Sequence, residues 1–346
     1  MSAKLISLRE SLTGSVVDLL ENENMSCVQT QDGLVTAINA LSLYREEGRR
    51  LFPELFVFDD LEIVLAALPS SERVQIGSGP RGAATMARAL KQCAPLAQGG
   101  WAVYVHRQVT AFDYGLIRCG VHVLSVPISD LLVNKGDQQI PVLMVRPLAE
   151  NVVELRGVGG SGLVAYFGAT KALNVSPVEA IDTLAANIVR EVNEKLREQT
   201  FAFFERIIAN ALRASHGTLA AVQPSRKRVF PPALRDGIRL EKRMHFADDI
   251  AALVARGDCS VNTRLHCAGA LITGMLLSDG ITLFGSDGSV RGYNIFVKHK
   301  PGTSNRSGGA RHRTFDTLCA MIGTHLDCVL MQSQDGAVEY KARLEE

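Results

Sequence analysis

The sequence predicts an α/β protein made of two mixed α/β domains joined by a long helical segment. Three observations predict it. Short apolar runs rich in β-branched and aromatic residues alternate with stretches whose apolar residues recur at three- and four-residue steps. A segment without a single glycine, Ser176 to His216, separates two such regions. The length, 346 residues, also exceeds what one core ordinarily organises. The expected division is a first domain over residues 1–175, a helical connector over 176–200, and a second domain over 201–346, with the junction near Gln199.

In chain order, the strand-like runs of the first domain are Leu55 to Phe58, Val74 to Ile76, Trp101 to Val105, Gly115 to Val126, Pro141 to Val145 and Val152 to Leu155, most of them bounded by Gly, Pro or Asp. Gly33 to Arg50 and Ala83 to Gln92 carry the helical period. Ser176-Pro177-Val178-Glu179 then reads as a helix start, with a cap residue, Pro at the first helical position and an acid three residues after the cap. The helical period continues through Ile181, Leu184, Ile188, Phe203, Ile207 and Leu212 until Gly217 stops it. Beyond lie a strand (Thr218 to Val222), a basic loop with prolines (Pro224 to Pro232), helices over Phe246 to Arg256 and Thr263 to Leu276, and a strand at Ile281 to Phe284. A hairpin turn at Asp287-Gly288 leads to a strand over Gly292 to Val297. A Ser/Gly/Asn loop, a helix over Arg313 to Ile322 and a last hairpin on Gln334-Asp335-Gly336 complete the pattern.

Composition excludes several classes of partner. Lys and Arg number 37 against 36 Asp and Glu, a formal net charge of +1 that creates no global field for nucleic acid or an anionic membrane. No apolar run reaches the length of a membrane span, and charges interrupt the amino terminus where a signal peptide needs an apolar core. Seven cysteines with no CxxC pair fit neither a disulfide framework nor structural zinc. Most are expected to be small buried residues in a reducing compartment, and the protein is expected to be cytoplasmic.

Two glycine motifs need weighing. Gly77-Ser-Gly79-Pro-Arg-Gly82 fits GxGxxG between a strand and a helix, but Pro80 removes a backbone donor and no acid follows at the distance a ribose requires. A plain strand-to-helix turn is favoured over an anion contact or a dinucleotide site. Gly157-Val-Gly159-Gly-Ser-Gly162 runs into a strand, and reads as a glycine hairpin or a hinge. Arg226-Lys227-Arg228 reads as a solvated loop face, with no aromatic platform for nucleic acid.

The most specific pattern is Asp279-Gly280 followed later by Gly309-Ala310-Arg311-His312-Arg313. A lone Asp can anchor a hard divalent cation, Arg presents a planar fork to phosphate, and a helix amino terminus offers free N–H groups to an anion. With Gly217-Thr218-Leu219 before an apolar strand, Gly292-Tyr293 in the next hairpin, and Leu326 to Val338 as a final strand, turn and strand, residues 201–346 resemble the diadenylate cyclase (DAC) domain. That domain is the nucleotidyltransferase module of the DNA-integrity scanning protein. The resemblance implies a mixed sheet flanked by helices that condenses two ATP molecules into the second messenger cyclic di-AMP, with Mg2+ or Mn2+ and a homo-oligomer whose cyclase domains face each other.

On that resemblance Asp279 holds metal and orients the attacking hydroxyl, while Arg311, His312 and Arg313 bind phosphates. Gly280 lets the nucleotide approach, and Gly309 and Ala310 border the phosphates. Gly217, Thr218, Leu219, Gly292 and Tyr293 lie near the adenine. The first domain is then a sensor or regulatory domain. The sequence departs from the family pattern at Ser278 (usually His), Ile281 (usually Ala), Ala310 (usually Thr) and the turn Gln332 to Asp335 (usually Ser and Glu). These departures motivate the alternative of a catalytically degenerate nucleotide-binding sensor or signalling module.

Overall fold

A computed structural model describes residues 8–68, 71–119, 128–134, 140–167, 175–234, 236–257, 259–297, 309–334 and 336–343. The chain forms two compact units, one ending at Phe167 and one starting at Gly168. Both are mixed α/β, as the sequence predicts.

The first unit contains α1 (Leu8–Asn22), α2 (Val28–Ser42), β1 (Arg45–Glu46), β2 (Arg49–Arg50), β3 (Leu55–Phe58), α3 (Leu61–Ala67), β4 (Glu72–Pro80), α4 (Ala83–Cys93), β5 (Trp101–Arg107), β6 (Ala111–Arg118), β7 (Val142–Ala149), β8 (Val152–Gly157) and β9 (Gly162–Tyr166). Its main sheet, among the described residues, has the order β4-β6-β5-β3-β7-β8-β9. The central strand β3 is an uninterrupted apolar run because both faces are covered. Leu55 and Val57 pack with α1, α2 and α4, while Phe56 and Phe58 pack on the other side with Val64 of α3.

Three sequence expectations change here. The helix expected over Gly33 to Arg50 starts earlier and stops at Ser42, and Arg45 to Arg50 form a small hairpin turning on Glu47 (φ 47°) and Gly48 (φ 79°). The strand expected over Gly115 to Val126 is β6, already under way at Ala111, and residues 120–127 lie outside the described residues. The segment Gly77 to Gly82, expected as a strand-to-helix turn, is mostly strand, and the turn is confined to Arg81 and Gly82 before α4. Gly77 to Pro80 belong to β4 and pair with Ala111 to Tyr114 of β6, and an ideal Cβ on Gly77 would stand 2.5 Å from Tyr114 Oη. At Gly77 and Gly79 the side chains of Tyr114, Thr85 and Arg88 occupy the space beside the backbone. Gly157 to Gly162 do form a hairpin, between β8 and β9, and it encloses the buried Glu23. Glu23 Oε2 accepts from Gly159 N at 2.8 Å and Oε1 from Ser161 N at 3.2 Å.

The second unit contains α5 (Pro177–Val189), α6 (Glu194–Ala214), β10 (Thr218–Gln223), β11 (Asp236–Met244), α7 (Ala247–Arg256), α8 (Cys259–Leu277), β12 (Ile281–Gly285), β13 (Val290–Phe296), α9 (Ala310–Cys319), β14 (Cys328–Gln332) and β15 (Val338–Ala342). Its sheet order is β11-β13-β12-β10-β14-β15, with β10 and β12 parallel and the other neighbours antiparallel. Alternation along the strands builds two cores. Ala220, Val222, Phe284, Cys328 and Leu330 face α5 to α8, whereas Leu219, Ala221, Ile281, Leu283, Val329 and Met331 face Phe315 and Leu318 of α9.

The connector expected over 176–200 is instead part of this second unit. Ala180, Leu184, Ala185 and Ile188 of α5 are fully buried and pack against α6 and the sheet. The junction therefore falls at Phe167 to Gly168, not near Gln199, which lies inside α6. An apolar stripe on a helix signals burial without saying in what, and the partner turned out to be the sheet that follows. The helical region also breaks at Arg190 to Asn193, where the Asn193 side chain caps α6 by accepting from Lys195 N at 3.0 Å. Strand β11 was not expected; Asp-Gly-Ile-Arg-Leu-Glu-Lys-Arg-Met is charged, as edge strands often are. Among the described residues, no helix is long and apolar enough to cross a membrane.

Candidate functional site

The parallel pairing of β10 and β12 brings two loops together. Leu219 lies opposite Ile281, so Gly217, before β10, and Ser278-Asp279-Gly280, before β12, meet at one end of the sheet. Antiparallel β13 returns to the same end, with Ile295 opposite Ile281. The first turn of α9 completes a cleft of about 240 Å³ lined by those loops, by Ile295, Phe296 and Val297, and by Ala310, Arg311 and Thr314. The lining is apolar at Leu219, Ile281, Ile295, Phe296 and Val297 and polar at Ser278, Asp279, Arg311 and Thr314.

Two glycines are required by this geometry. Gly280 has φ +87°, and an ideal Cβ there would come within 2.9 Å of the backbone N and O of Ile295. Gly217 has φ +118°, and an ideal Cβ would stand 2.5 Å from Arg311 Nη1. Its missing side chain is the space in which the guanidinium lies, and Arg311 Nη1 donates to the His216 carbonyl oxygen at 3.2 Å. Asp279 is exposed, and its Oδ1 accepts from Gly280 N at 3.0 Å. Helix α9 has Gly309 as its N-cap, and among the described residues no side chain caps its first turn, whose N–H groups are of the kind that suits an anion.

Of the residues expected from sequence, Gly217, Leu219, Asp279, Gly280, Ala310 and Arg311 line the cleft together. The others do not. Thr218 is buried and its hydroxyl donates to the Leu276 carbonyl. Gly292 sits inside β13 against Phe230, and Tyr293 packs toward the α5–α8 side. Gly309 is the exposed N-cap, Arg313 is exposed outside the lining, and His312 turns to Glu339 of β15, with Nδ1 3.5 Å from Oε1. Three consecutive helical residues point about 100° apart, so a contiguous Arg-His-Arg cannot share a face. Ala310, Arg311 and Thr314 do, at i, i+1 and i+4. That period would have found Thr314; the contribution of Ile295, Phe296 and Val297 needed the strand register.

The described residues hold no group of three or more His, Cys, Asp and Glu that could bind a metal by themselves. The perturbed acidities include a cluster at the other end of the sheet. Burial pushes the Asp287 carboxyl up, but the Ser289 hydroxyl and the Arg291 guanidinium outweigh it and hold the pKa below the ordinary 3.8. Burial and nearby Arg243 bring Arg291 down to about 10. Glu191 is likewise lowered, since the hydroxyls of Ser225 and Ser286 overcome its burial. These groups pin the α5–α6 corner to the ends of β10 and β12, with Arg190 Nη2 2.7 Å from Asp327 Oδ2. Of the cysteines, Cys93, Cys119 and Cys328 are buried, but Cys259 and Cys267 are exposed on α8, against the general expectation.

Compared with known proteins, the chain matches no family model, no curated protein and no solved structure.

Proposed function

We propose that the second unit binds a nucleoside triphosphate in this cleft and acts as a diadenylate cyclase-like nucleotidyltransferase, governed by the first unit. The observation that carries the reading is that Asp279-Gly280 and Arg311, far apart in sequence, line one cleft at the amino terminus of α9. In the reaction, the 3′-oxygen of one ATP bonds to the α-phosphorus of another, the bond from that phosphorus to pyrophosphate breaks, and the hydroxyl proton leaves to water. A second such step closes cyclic di-AMP. The cleft is too small for two nucleotides, so the reading calls for a second copy of the chain facing the first.

The residues divide the work by chemistry. Arg311 and the α9 amides offset phosphate charge, which is the main demand of phosphoryl transfer. Leu219, Ile281, Ile295 and Phe296 offer an apolar wall to the base. Asp279 fits a Mg2+ or Mn2+ ion as a single carboxylate that shares it with phosphate oxygens, the usual way such an ion is held. When bound, the ion would neutralise charge developing on the phosphates. The second reading is a nucleotide-binding module without turnover, favoured by Ala310, which brings no hydroxyl to the cleft.

The test is incubation of the full chain with ATP and Mg2+ or Mn2+, with cyclic dinucleotide detected by mass spectrometry. Asp279→Asn should abolish product while leaving the melting temperature unchanged. Absence of product from any ribonucleoside triphosphate, with calorimetric ATP binding retained, would leave the second reading standing. Absence of binding would defeat both.

A further inference from the structure

His312 is the middle residue of the Arg-His-Arg triplet at the start of α9, yet it faces away from the cleft. Among the described residues no side chain caps the first turn of α9, and two of its own side chains reach elements outside the helix. They reach in two directions. Arg311 goes to the His216 carbonyl on the cleft side, and His312 goes to Glu339 of β15 on the other. Both His312 and Glu339 are 45% exposed.

The strand that supplies Glu339 is itself held. β15 is an edge strand paired with β14, and Tyr340 Oη, on its opposite face, donates to Glu179 Oε1 of α5 at 2.7 Å. Glu339 is thus presented to α9 from a strand fixed by both its ladder and α5. The charged neighbours on this side are Lys341, two residues along the strand, and Asp316, one turn along α9. Both act electrostatically on Cys319, as Glu339 does, so they share its neighbourhood.

We propose that Glu339 is a positioning residue for the cleft: through His312 it sets the first turn of α9, and so places Arg311 and the turn's amides where a triphosphate would meet them. The assignment rests on the nucleotide reading above. An exposed contact of this kind is weak, so its loss should change ligand affinity by roughly two- to fivefold, not abolish it.

The test uses the full chain with Glu339→Gln, His312→Gln and the double variant. Three measurements are made: amide exchange over residues 309–314 without ligand, calorimetric affinity for ATP with Mg2+, and steady-state kinetics. Each single variant should speed exchange in that turn and weaken ATP binding two- to fivefold at an unchanged melting temperature. The double variant should be no worse than either single one, because the two side chains serve one contact. For Glu339→Gln, KM should rise and kcat should stay the same. Wild-type affinity and exchange in Glu339→Gln, or losses that add in the double variant, would overturn the proposal. If the unaltered chain binds no ATP, the nucleotide reading falls by itself, and the exchange measurement shows separately whether Glu339 holds α9.

Discussion

At the scale of single residues, the cleft depends on what two glycines leave out. Gly217→Ala would place a methyl group where the Arg311 guanidinium lies, on a backbone with φ +118° that side chains rarely adopt. Strain of that kind costs on the order of 1–3 kcal/mol. The expected outcome is a lower urea midpoint together with weaker ATP binding. A second residue-scale expectation concerns acid. The folded-state pKa values of Asp287 and Glu191 lie below their ordinary 3.8 and 4.5. Their contribution to stability is therefore present above those values and is lost as the pH falls below them. Denaturant titrations at pH 6, 4.5 and 3.5 should show the drop, and Asp287→Asn should make it shallower. An equal drop in Asp287→Asn would assign the acid sensitivity to other carboxylates.

At the scale of elements, much of the fold was legible in the sequence. Runs such as Leu55 to Phe58, Thr218 to Val222 and Ile281 to Phe284 are predominantly apolar because their strands are covered on both faces. The Asp287-Gly288 turn announced its hairpin because Gly288 takes φ +74°. What was not legible depended on partners distant in sequence. β11 is too polar to resemble a strand until it pairs with β13, and the apolar stripe of α5 fits a connector until the sheet is placed beneath it. The candidate site divided the same way. Asp279 and Arg311 could be chosen by chemistry, but the facing of His312 followed from helix geometry, and Phe296 from register. Leu184→Ala, at a fully buried position of α5, should cost about 2–5 kcal/mol. A connector helix outside a core would lose far less, so equilibrium unfolding of that variant separates the two descriptions.

At the scale of the whole molecule, the boundary at Phe167 to Gly168 changes which fragment can stand alone. Residues 168–346 carry α5 and should fold and retain whatever ATP binding the full chain has. Residues 199–346 would lack α5 and the first turn of α6, exposing the apolar faces of Ala220, Val222 and Leu330 that α5 helps to cover. Circular dichroism and thermal melts of the two fragments test this; a cooperative melt from the shorter one would restore the connector. The first unit has its own constraint, set by Glu23 in the glycine hairpin. A carboxylate near the beginning of that unit receives two of its hydrogen bonds from Gly159 and Ser161, near its end. During synthesis, α1 and α2 are made long before the loop that satisfies Glu23 exists. The site around Glu23 therefore cannot be completed until the last hairpin of the unit has been made.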